Sequence, residues 1–117
     1  MIPHGKMNAT LLHREGDGYR LYSLNGCSWR MANVRTADGN IVSNSVETTC
    51  RIPHPQQKPS VGDLLILGQR NVEAKDEIAL VRLMNALNAS GIPAFRVQRV
   101  KDNSIGAPLP HYAAIGA

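Results

Sequence analysis

One stretch of this chain, and only one, repeats its apolar residues with the period of an α-helix. Between Lys75 and Ala89, Leu80, Leu83, Met84 and Leu87 recur at i, i+3, i+4 and i+7; Asp76 and Glu77 place negative charge at the start, and Gly91 with Pro93 stops the pattern. Elsewhere the apolar residues alternate, or form short runs bounded by glycine and proline, as in extended strands. The expectation is a mainly β fold, a small β-barrel or sandwich of about seven strands with one amphipathic helix packed on it. A length of 117 residues suits one core, and the division expected is an N-terminal arm over 1–8 and one β-barrel domain over 9–117.

The strands are read from their turns. Ala9–Arg14 and Tyr19–Leu24 flank Glu15-Gly-Asp-Gly18 as a hairpin. In the second of these, Tyr19 and Leu21 share one face while Tyr22 and Leu24 share the other, which predicts a strand covered on both sides. Asn25-Gly26 reads as a turn. After it, Cys27–Val34 forms a strand with Cys27, Trp29 and Met31 directed to the core. Asp38-Gly39 then joins this strand to Asn40–Ile52 in a long ribbon. Pro53, Pro55 and Pro59 predict an irregular loop over 53–60. Three further strands are expected, a buried one within Val61–Gly68, an alternating one over Phe95–Val100 and a short one over His111–Gly116, with a loop over 102–110 before the last.

Function classes narrow quickly. The longest apolar runs, such as Ile78–Leu87, fall short of the roughly 20 residues of a membrane-spanning helix, and the N-terminus lacks a secretory pattern, so synthesis in a cytoplasm and no membrane association are expected. Cys27 and Cys50 are too few for a disulfide scaffold and read as small buried apolar residues. With His13 and His54 they would make a zinc set, yet only Cys50 and His54 lie close in sequence, so no metal is expected. Neither a nucleophile with a placed base, nor paired carboxylates, nor a phosphate-binding glycine loop is present as a motif. The chain is expected to be no enzyme and to hold no cofactor.

The cations are more informative. Thirteen lysines and arginines stand against nine acids, a net charge of +4, and nine of the thirteen are arginine. Arg20, Arg30, Arg51, Arg96 and Arg99 fall on strand positions and are candidates for facing DNA or a neighbouring subunit. A solvated outer sheet face is the plainer account of the same pattern. One alternative function is a small nucleic-acid-binding β-barrel with Arg20, Arg30, Arg96 and Arg99 on one face; another is an enzyme built on Cys27, Cys50 and His54.

A resemblance extends from about residue 9 to 116. It is carried by Thr10-Leu-Leu-His-Arg14, Leu24-Asn-Gly-Cys-Ser-Trp29, Arg51-Ile-Pro53, Val61-Gly-Asp-Leu64 followed by Gly68, and Val100-Lys-Asp-Asn103 leading to Pro110-His-Tyr-Ala-Ala-Ile-Gly116. In this order the segments resemble the minor capsid or head-tail completion proteins of tailed phages and prophages. The helix is longer than that pattern has. The resemblance implies a virion protein of the phage neck, made in the bacterial host cytoplasm, forming a homo-oligomeric ring. It implies contact with the portal or adaptor on one side and tail proteins on the other, as adaptor or stopper, with packaged double-stranded DNA retained in the channel. The arm, the ribbon and the proline-rich loop would supply the subunit contacts.

Overall fold

The computed structural model describes residues 7–38, 41–53, 57–103 and 111–116, with 33–38, 41–45 and 103 described by backbone alone. Strands β1 (Met7–Glu15) and β2 (Gly18–Asp38) form the first hairpin, and Gly16 takes a left-handed φ of 62° in its turn. β1 begins at Met7 and so takes in the last two residues of the segment expected as an arm, because Met7 pairs with Cys27. Four successive residues of β1, Ala9 to Leu12, are buried, so this part of the sheet is covered on both faces.

Asn25-Gly26 is not a turn. β2 runs straight through it for 21 residues. The register steps from Ala9↔Leu24 to Met7↔Cys27, setting three positions of β2 against two of β1, and Gly26 sits at φ 71°. This is a β-bulge with glycine in the left-handed region. The dipeptide suits a turn and a bulge equally well; pairing on both sides decides between them. β2 pairs with β1 up to Cys27 and with β3 (Ile41–Ile52) from Ser28 onward. The bulge therefore lies where β2 changes partners, and the added twist helps the sheet to curl.

The remaining strands are β4 (Leu64–Leu67), β5 (Ala94–Arg96), β6 (Arg99–Asn103) and β7 (His111–Gly116), with helix α1 (Glu77–Ala89) between β4 and β5. They form one antiparallel seven-stranded sheet in the order β5-β4-β1-β2-β3-β7-β6, curled into a half-barrel. The strand expected over Phe95–Val100 is divided at Val97-Gln98, where the chain leaves β4 and joins β7. Val97 N–H donates to the Asp63 carbonyl and Gln98 N–H to the Ile115 carbonyl, each at 2.8 Å. The two outer strands of the sheet are thus consecutive in the chain, and this crossing ties the edges of the curl together. Gly116 of β7 packs directly on β5, so that a Cβ there would strike the Arg96 carbonyl oxygen and the Phe95 ring.

Two apolar clusters result. Inside the curl lie Leu11, Leu24, Cys27, Cys50, Ile52, Leu65, Phe95 and Val97, with Trp29 half-buried against them. On the other face of β1 and β4, Leu12, Leu64 and Ile66 meet Leu80 and Leu87 of α1, while Leu83 and Met84 complete the helical stripe that periodicity predicted. Full burial of such a leucine contributes about 1.5–3 kcal/mol. Tyr19 and Leu21 join the helix-side cluster and Tyr22 the inner one, so β2 is covered on both faces as expected. The helix starts at Glu77 because the Asp76 carboxylate accepts a hydrogen bond from the Ala79 N–H at 2.8 Å and caps it. Met31 departs from expectation. It is 58% exposed, because β2 has by then run beyond the strands that cover Cys27 and Trp29.

Candidate interaction surfaces

The five arginines separate into three places. Arg20 lies at one end of the curl, its guanidinium 5.5 Å from the Tyr22 ring centroid and 3.8 Å from the Glu15 carboxylate, to which Tyr22 donates. Arg96 faces the helix, donating to the Gly62 carbonyl at 2.8 Å and to the first-turn carboxylate of Glu77 at 3.1 Å. A single surface of Arg20, Arg30, Arg96 and Arg99 therefore does not form.

Arg30, Arg51 and Arg99 do share a face. Opposed residues in antiparallel strands present their side chains to the same side. The register gives one row, Arg30–Thr49–Ile115–Arg99, across β2, β3, β7 and β6, and a second row, Ser28–Arg51–Ala113–Lys101, beside it. With strands about 4.8 Å apart, the backbones of Arg30 and Arg99 are about 14 Å apart and those of Arg51 and Lys101 about 10 Å. Arg30, Arg51, Arg99 and Lys101 are all exposed, whereas Ala113 and Ile115 between them are buried. Glu47 is the carboxylate on this face and pairs with Arg99 at 3.1 Å. A shallow depression of about 220 Å³ lies among Ser28, Arg30, Ala32, Glu47, Thr49 and Arg51. Among the described side chains, four cations against one anion leave the face at +3.

The two cysteines lie in the core, whereas His13 pairs with a buried carboxylate. Cys27 and Cys50 are free thiols on the inner face of the curl, each fully buried. The neighbouring Cys27 sulfur, and burial after it, push the Cys50 thiol well above its ordinary value. His13 instead meets Asp63, with Nδ1 2.7 Å from Oδ2. Asp63 is 1% exposed and also accepts from the Ser60 and Arg14 N–H groups, at 2.9 and 3.3 Å. His54 lies outside the described residues.

A third surface follows β2 and β3 away from the curl. Among the described residues, 32–38 and 41–47 pair with each other and with no further strand. Where this ribbon leaves the sheet, an apolar recess of about 190 Å³ is bounded by Trp29, Met31, Val46, Pro93 and Phe95. The Trp29 ring stands edge-on to Phe95 with centroids 5.2 Å apart, and its indole N–H is buried without an acceptor among the described residues.

Residues 6–117 match a family of unknown function, DUF6751. The chain belongs to that family. No curated protein and no solved structure matches it. In this member of DUF6751 sequence reasoning missed two residues of the surfaces described. Lys101 completes the basic face, but its place beside Arg51 depends on β6 pairing with β7, which no local pattern announces. Asp63 lies in the segment expected to hold a buried strand, and Val61-Gly-Asp-Leu64 contains nothing to indicate a histidine from the first hairpin as its partner.

Proposed function

We propose that this protein is a structural subunit of a tailed-phage neck, a head-tail connector of the adaptor or stopper kind. It acts without catalysis, assembling with copies of itself into a ring. The portal or adaptor meets the ring on one side and tail proteins on the other, and packaged DNA is held behind it. The reading rests on the resemblance of segments from residue 9 to 116 to head-tail completion proteins.

The observation that carries it is the self-paired ribbon of 32–38 and 41–47. A two-stranded ribbon is marginal on its own and leaves both edges with unpaired N–H and C=O groups, which an adjacent subunit satisfies by strand addition. A head-to-tail contact of this kind closes into a ring when its rotation is right. The test is deletion of the gene from a phage or prophage that carries it. Mutant particles are expected to fill their heads, lose DNA and fail to join tails, and electron microscopy of normal tailed, DNA-filled particles would refute the role.

A further inference from the structure

We infer that the outer face of the β2–β3–β7–β6 half of the sheet takes the phosphate backbone of double-stranded DNA, through Arg30, Arg51, Lys101 and Arg99. The inference deepens the neck reading and rests on it for the source of the duplex, since it names the side of the subunit that meets packaged DNA.

Among the described side chains, few acids remain to match the charge on this face. Glu47 offsets one of the four cations. Of the other carboxylates, Glu15 is engaged by Arg20 and Tyr22, Glu77 by Arg96, and Asp76 by the helix terminus, while Asp63 is buried. Asp102 follows Lys101 in β6 and so alternates to the opposite face. Among the described side chains, the other exposed acids are Asp17, Glu73 and Asp102, which belong to the first turn, the segment before α1 and β6. A polyanion, which carries its charges in regular rows, matches the two rows of cations on this face better than acids drawn from three separate elements do.

The shape of the face selects among polyanions. Its two rows contain no aromatic residue, and Trp29 in the intervening row points into the curl, so the rows themselves offer no platform on which bases of a single strand could stack. Ser28, Thr49, Ala113 and Ile115 make the floor between the cations. The backbone separation of about 14 Å between Arg30 and Arg99 is on the scale of the roughly 12 Å major groove, placing the two guanidinium groups to reach phosphates on its opposite sides. Contacts of this kind position a duplex without reading its sequence.

The test is fluorescence anisotropy of the full chain with a labelled mixed-sequence duplex of about 20 base pairs, between roughly 50 and 200 mM KCl. Three net phosphate contacts predict a log–log salt slope near −2.7, an affinity loss of about 40-fold across that range. Arg30→Ala, Arg51→Ala and Lys101→Ala should each reduce the slope by about one, and the triple variant should lose binding while circular dichroism shows it folded. Arg82→Ala, on the exposed side of α1, should bind as the parent does. An unchanged slope in the folded triple variant overturns the assignment, as does tighter binding of the single strand of the same length. So does salt-sensitive self-association in place of duplex binding. These titrations use the purified chain, so their failure counts against this face alone, whereas normal particles from the deletion mutant count against the neck role alone.

Discussion

His13 and Asp63 lie 50 positions apart in the chain, yet the imidazole Nδ1 is 2.7 Å from the Asp63 carboxylate. The carboxylate also takes the backbone N–H groups of Arg14 and Ser60, so it joins the end of β1 to the entry of β4. A buried carboxylate is tolerated only where its oxygens are satisfied, and here three donors converge on it.

Removing that acceptor strands the donors. Asp63→Ala is expected to lower stability by about 3 kcal/mol, and Asp63→Asn, which retains one carbonyl oxygen, by clearly less. Urea unfolding of the two variants checks this; a cost below about 1 kcal/mol for the alanine variant would show that the carboxylate does not pin β1 to β4.

Gly116 reports on the closure of the curl. Gly116→Ala places a Cβ against the Arg96 carbonyl and the Phe95 ring, both on β5. The expected loss is about 2–3 kcal/mol, because the obstacle is largely backbone and cannot rotate aside. Gly16→Ala is the contrast. Its Cβ would meet open space, so only the positive φ opposes it, at about 1 kcal/mol. Equal melting-temperature shifts for the two variants would contradict the packing of β7 on β5.

The thiols give a pH dependence. Cys50 is held well above its ordinary value of 9.0 by the Cys27 sulfur beside it and then by burial. Since the folded value is raised, the folded state favours the neutral thiol. Its contribution is fully present below the unfolded value near 9 and is lost as pH rises beyond it. Melting temperature should therefore fall above about pH 9, and fall less in Cys50→Ala. At neutral pH a thiol reagent such as Ellman's should label neither cysteine until denaturant is added. Rapid labelling of the native protein would disprove the burial argument.

The helix start is a local and separable element. Asp76→Ala should cost about 1 kcal/mol by freeing the Ala79 N–H, and Asp76→Ser should restore most of it. Thermal unfolding followed by circular dichroism measures both, and an unaffected alanine variant would mean that Leu80 and Leu87 hold the helix without its cap.

Features set by near neighbours in sequence were legible. Leu80, Leu83, Met84 and Leu87 predicted both the helix and the face it buries; Gly16-Asp17 placed the first turn, and alternation in Tyr19–Leu24 predicted a strand covered on both sides. The errors fell where one local pattern admits two tertiary outcomes. Asn25-Gly26 suits a turn or a bulge, Phe95–Val100 suits one strand or a strand that changes partners midway, and Met31 alternates with Trp29 whether or not anything covers it.

The alternation of residues determined, before any folding, that this chain builds a mainly β structure with one helix, because side-chain direction in strands and helices follows from backbone geometry a few residues at a time. Which charges share a surface depended on strand order. Arg30 meets Arg99 across Thr49 and Ile115 only because β3, β7 and β6 pair in that sequence, while Arg20 and Arg96, equally basic as text, are drawn to Glu15 and Glu77. Charge is set residue by residue, but a field requires like charges gathered on one surface, and only tertiary pairing gathers them.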